Sequence, residues 1–265
     1  MAWLELKIVD VEGNVKAAAE DEQEVTLVYD REYEEGDSIV FSNSKPESFY
    51  VVSVDNAIST ALVYITETEY KYEIPFGEKR VCYAADAFAG GIHCISAREA
   101  YPWEINGYRN MSVNPIDQHR DSGCFPHAFA NVETRGESVF AGRNAIDGCH
   151  AASGHGLWPY GSWGINNRED AEIVINFGRE IIIDRLIIYL RADFPHDSWW
   201  TKATVEFSDE SEITINLSKT HHGQELIISP EKQVSWIKLK NLIKADDESP
   251  YPALTQLEVY GREMA

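Results

Sequence analysis

The most constraining feature of this chain is a succession of short runs rich in Val, Ile, Tyr, Phe, Trp and Thr. They fall at residues 24–29, 38–41, 49–54, 61–65 and 70–74. A second group falls at 172–177, 185–190, 203–207, 212–217, 225–228, 234–239 and 254–260. Each is bounded by Gly, Pro, Asp or Ser, and many alternate apolar with polar residues, as half-buried antiparallel strands do. Helical periodicity is weak, and residues 84–88 and 140–147 offer a turn or two at most. Closely spaced short strands predict an all-β architecture of sandwiches or barrels, not a parallel α/β fold.

A length of 265 residues suits one large or two modest domains, each with its own core. The boundary is expected near residues 104–118. Asn106-Gly107 is a turn signal, and residues 110–118 lack strand alternation. This gives domains 1–107 and 108–265. The first carries 8 basic and 21 acidic residues, the second 15 and 23, so the halves hold −13 and −8 of the total charge of −21. Such acidity argues against nucleic acid and anionic membranes, which reward clustered Lys and Arg. Seven of eight His and five of seven Trp fall in the second half, so recognition chemistry is expected there.

Glu5, Lys7 and Asp10 interrupt the N-terminus before an apolar signal segment forms, and no apolar run is long enough to span a bilayer. The expectation is a cytoplasmic chain. Cys82, Cys94, Cys124 and Cys149 form no C-x-x-C pair, which disfavours zinc and predicts free thiols.

Four features of the second half occur in order. Ala128-Phe129-Ala130-Asn131 precedes Arg143-Asn144-Ala145-Ile146-Asp147-Gly148. Trp158 or Trp163 follows. Residues 187–191 lead to Phe207-Ser208-Asp209, and residues 254–261 close the chain. From about Asn110 onward this pattern resembles the discoidin, or coagulation factor 5/8 type C, family, which includes the family 32 carbohydrate-binding modules. Glu210 stands where that family has Gly, so the hairpin turn differs. The resemblance implies a galactose-binding-like jelly-roll β-sandwich of about eight strands and recognition of a carbohydrate. Tyr33-Glu34-Glu35-Gly36-Asp37 and Tyr72–Phe76 suggest a second jelly-roll sandwich in the first half.

The resemblance also implies a structural Ca²⁺. Mapped onto this chain, its ligands are the carbonyls of Asn144 and Cys149, the Asp147 carboxylate and the Gln256 side chain. The family usually has Glu at the last place, so one charge is lost. Read from the residues alone, Asp147 beside Gly148 is equally a turn cap.

Residues 189–202 leave a strand and enter a loop dense in Arg, Asp, His and Trp. Indole and other rings cover the C–H faces of sugars, while Arg, Asp and His bind hydroxyls. In the resembled modules an Arg at this strand end points at the sugar, and Arg191 maps onto it. Asp193 and His196 are the polar loop candidates, with Trp199 beside them. Trp199 and Trp200 face opposite ways in extended chain, so one belongs to the core. His155 and Trp158 lie in a Gly- and aromatic-rich stretch suited to a binding rim, whereas Trp163 reads as a core anchor. His221-His222 reads as a solvated turn. No G-x-S-x-G, H-E-x-x-H or phosphate loop is present. Non-catalytic sugar recognition is therefore the leading expectation. The alternatives are a carbohydrate-active hydrolase or lyase subunit with an Arg191/Asp193/His196 acid–base cluster, and an intracellular protein-interaction scaffold.

Overall fold

The computed structural model describes residues 2–121 and 123–264. The first half contains β1 (Trp3–Val9), β2 (Val15–Glu22), β3 (Glu24–Tyr29), β4 (Ser38–Asn43), β5 (Ser48–Ser53), β6 (Ala61–Ile65), β7 (Glu69–Glu73) and β8 (His93–Glu99). The second contains β9 (Arg109–Asn110), β10 (Cys124–Phe125), β11 (His127–Ala130), β12 (Trp163–Gly164), β13 (Ile173–Leu190), β14 (Trp200–Phe207), β15 (Glu212–Asn216), β16 (Gln224–Lys244) and β17 (Ala253–Glu263). Every pairing is antiparallel. The fold is all-β, as the strand spacing predicts.

In the first sandwich a four-stranded sheet, β2-β1-β4-β7, packs on a five-stranded sheet, β10-β6-β5-β8-β3. Alternation builds the core directly. Leu4, Leu6 and Ile8 of β1 point inward to meet Phe41, Tyr50, Val63 and Ile95, while Glu5 and Lys7 point outward. The charges that interrupt a signal segment are the polar face of this strand.

The second sandwich is one sheet in the order β12-β17-β13-β16-β14-β15, with β11 on β13 and β9 on β17. β13 and β16 each merge two runs that look separate in sequence. Register shifts between Asn176 and Ile181 and between Ile183 and Arg185 break the β13–β16 ladder. Its core holds Trp163, Trp200, Phe177, Ile237 and Val259. Trp163 is fully buried, and its indole N–H donates to the Val132 carbonyl at 2.8 Å.

A single cut after residue 107 does not separate the two units. β9 pairs with β17 of the second sandwich, yet the chain then turns back. Ile116 and Cys124 join the first core, and β10 pairs with β6. A short strand that covers an exposed edge removes a pairing liability, which is the physical reason for the return. Gly178 seals the junction. Its φ is +68°, and a Cβ there would lie 2.3 Å from the Phe125 ring. Arg143, buried in the second unit, donates from Nε to Asp117 O and from Nη2 to Pro115 O, and its guanidinium lies 4.7 Å from the Tyr83 ring centroid.

Candidate functional site

The end of β13 is a hub. Arg191 follows its last residue, and its N–H donates to Ala253 O at 3.1 Å, which ties it to the start of β17. The side chain is buried. Nε and Nη2 grip Asp197 Oδ2 and Oδ1 at 2.8 and 2.5 Å, and Nη2 also donates to Tyr251 O at 3.2 Å. Asp197 also accepts the Asp193 N–H at 2.9 Å, so the pair folds the loop back on itself. Ser198 Oγ bonds Asp247 Oδ1 and Ser249 Oγ bonds His196 O, bracing this loop against residues 247–249.

Three rings stand on that frame. His155 stacks on His196 with centroids 4.3 Å apart and planes 12° apart. His196 stacks on Tyr251 at 5.9 Å and 24°. Asp193 Oδ2 holds His155 Nδ1 at 2.7 Å, which orients the first ring. The rings edge a cleft of about 240 Å³ that also takes in Arg191, Arg135, Asn166 and Asn167. Both asparagines have positive φ, 49° and 56°, a conformation that short polar side chains tolerate best. Among sequence candidates, Arg191, His155 and His196 therefore meet in one cleft, with Asp193 behind His155.

Two others do not join them. Trp199 is half-buried against the core of the second sandwich, because its backbone C=O accepts from Ala245 and fixes the strand entry. Trp158 is half-exposed, and its N–H donates to Val81 O of the first half, so it faces the junction. Tyr251, Asn166 and Asn167 carry no motif. The only signals are the loop ending at Pro250 and the Asn-Asn pair after a buried strand.

A larger cleft of about 620 Å³ opens between the sandwiches. Its charges are largely paired. Glu73 faces Lys79 at 3.7 Å and Arg120 at 3.5 Å, and Glu133 faces His119 at 3.5 Å. One face of its Tyr83 ring is already covered by Arg143.

Solved structures of carbohydrate-binding modules and lectin domains are similar to this chain. One is chitosan-binding module 1 from a chitosanase/glucanase of Paenibacillus sp. IK-5, at 15% identity and TM-score 0.41, covering 58% of this chain and 99% of that one. Another is the family 32 module of C. perfringens NanJ in complex with galactose, at 16% and 0.39, covering 50% and 91%. A third is a Streptococcus pneumoniae fucose binding module, at 13% and 0.40, covering 58% and 99%. No family model matches the chain, and no curated protein matches it.

The loop mapped for Ca²⁺ is built differently from a cation cage. Asp147 is buried, and burial raises its carboxyl above the usual value, opposed first by the Arg143 charge. Asp147 Oδ1 accepts from Cys149 N at 2.8 Å and from Gln256 Nε2 at 2.7 Å. Gln256 Nε2 also donates to Asn144 O at 2.7 Å. The side chain expected as a ligand thus turns a donor toward the other ligands, and the set does not fit the ion. Among the described residues, no group of three His, Cys, Asp or Glu is placed to hold a metal.

Proposed function

We propose that this protein binds a carbohydrate, one sugar ring at a time, in the cleft edged by His155, His196 and Tyr251, and does so without catalysis. The observation that carries the reading is the stacked trio of rings beside the buried Arg191. Ring faces and edges suit the C–H surfaces of a pyranose, and the exposed Asn166 and Asn167 supply hydrogen-bonding groups for its hydroxyls, while the buried Arg191 braces the frame behind the rings. A cleft of about 240 Å³ is smaller than the roughly 300–1,000 Å³ that holds drug-sized ligands, which favours a terminal sugar over an extended chain. The family that the second half resembles, and the names of the similar solved structures, point to the same ligand class.

Non-catalytic binding is favoured by the state of the two carboxylates. Asp197 is sealed against Arg191, and Asp193 is engaged by His155. Neither is placed as one of a facing acid–base pair, which needs an open gap of roughly 5–9.5 Å for a glycosidic bond.

A glycan array probed with the wild-type protein and with Tyr251→Ala and Asn167→Ala tests this. Signal on a defined set of terminal sugars, lost in both variants, is the expected result. Silence across the array, with co-purification of a protein partner, would replace the reading with that of an interaction scaffold.

A further inference from the structure

We infer that the Gln256 side-chain amide closes the loop of residues 144–149 in place of a metal ion, so that this protein is indifferent to calcium. Every hydrogen-bonding position of the amide but one acceptor site is used. Nε2 donates to Asn144 O and to Asp147 Oδ1, both at 2.7 Å, and Oε1 accepts from Gly148 N at 3.0 Å. The network fixes which end is nitrogen. Turning the amide over would set Oε1 against two oxygens and the NH₂ against the Gly148 N–H.

The amide nitrogen therefore stands where two oxygens of separate residues converge. Ca²⁺ needs about six to eight oxygens at roughly 2.3–2.6 Å. To admit it, Gln256 would have to swing away. That would strip partners from Asn144 O and Gly148 N in a place where Gln256 is only 2% exposed, and buried polar groups resist losing partners. Asp147 Oδ1 is already shared by two donors, so it needs no ion to be satisfied.

The chemistry also says what one atom pair would change. A carboxylate in place of the amide would face Asp147 directly. Two buried carboxylates at hydrogen-bond range repel, and a divalent cation relieves the repulsion. Gln256→Glu should thus create a calcium site from a lock that now works without one.

The test is thermal unfolding in EDTA and in about 5 mM calcium, a few-fold above the dissociation constants of weak sites. The wild-type midpoint is expected to move by less than about 1 °C. Gln256→Glu is expected to melt lower than wild type in EDTA and to regain roughly 5 °C in calcium. A wild-type rise of several degrees in calcium would overturn the inference, and so would a folded Gln256→Glu that ignores calcium. If that variant does not fold, equilibrium dialysis of the wild type against radioactive calcium decides. Stoichiometric uptake at low millimolar concentration overturns the inference, and no uptake supports it. These readouts involve no sugar, so they stand apart from the carbohydrate reading.

Discussion

The Arg191 guanidinium lies edge-on against the Asp197 carboxylate, with Nε 2.8 Å from Oδ2 and both side chains nearly sealed from solvent. A buried pair of this kind adds little over an apolar pair, but breaking it strands a charge. Asp197→Ala should therefore cost about 3–5 kcal/mol in urea unfolding. It should also free the loop of residues 193–198, since the Asp193 N–H loses its acceptor. A loss below about 1 kcal/mol would show that the guanidinium finds another partner.

The rings of His196 and Tyr251 face a cleft and carry little of the core. Replacing either with Ala should weaken sugar binding by up to about tenfold, the scale of one stacking contact. Stability should change by about 0.5 kcal/mol or less, as at other surface positions. Titration calorimetry with a sugar found on the array, beside a melt of each variant, separates the two effects.

Trp158 and Trp163 lie five residues apart with opposite fates. Trp163 is fully buried with its N–H bonded to Val132 O, whereas Trp158 is 49% exposed. Trp163→Ala should cost about 3–5 kcal/mol, the range for large core aromatics. Trp158→Ala should cost about 0.5 kcal/mol and leave cleft binding within about twofold, because it lies outside the cleft. A large loss of sugar binding in Trp158→Ala would move the site toward the junction.

His127 Nδ1 sits 2.8 Å from Asp117 Oδ1 in the interior. Burial alone pulls the imidazolium value down, but the hydrogen bond and charge of Asp117 outweigh it, and the net direction is up. The folded state therefore holds the His127 proton more tightly than the unfolded chain. That stabilisation is complete below the ordinary value of about 6.5 and is lost as pH rises through the higher folded value. Stability should fall over that rise, and His127→Gln should flatten the slope. A wild-type profile that climbs with pH in this window would contradict the pairing.

Strands were legible where alternation and β-branching coincide, as in Glu24–Tyr29 and Ala61–Ile65, which match residue for residue. β1 was hidden because its outward Glu5 and Lys7 read as interruptions. β8, His93–Glu99, was hidden because Ser, Cys and Ala dilute its pattern. The runs that fuse into β13 and β16 look separate because Gly178 and Pro230 sit between them, and both residues usually end strands. In the cleft, Arg191 and His196 come from the polar loop of residues 189–202 and His155 from the separate Gly- and aromatic-rich stretch, both of which stand out in the sequence. Tyr251 does not, because it joins only when β17 pairs back beside Arg191. The Asp147–Gln256 contact spans 109 residues, and composition carries no trace of whether an amide turns its oxygen or its nitrogen inward.

The return of the chain through Phe125, with its ring seated over Gly178, also bears on how this protein can change over evolutionary time. Recognition modules are commonly shuffled between proteins as cassettes. Here the strand that completes the first sandwich is encoded inside the stretch that begins the second, so a transplant of either would tear an edge off the other. The two sandwiches thus form one structural piece, and a change confined to the loops around Arg191 would leave that shared edge intact.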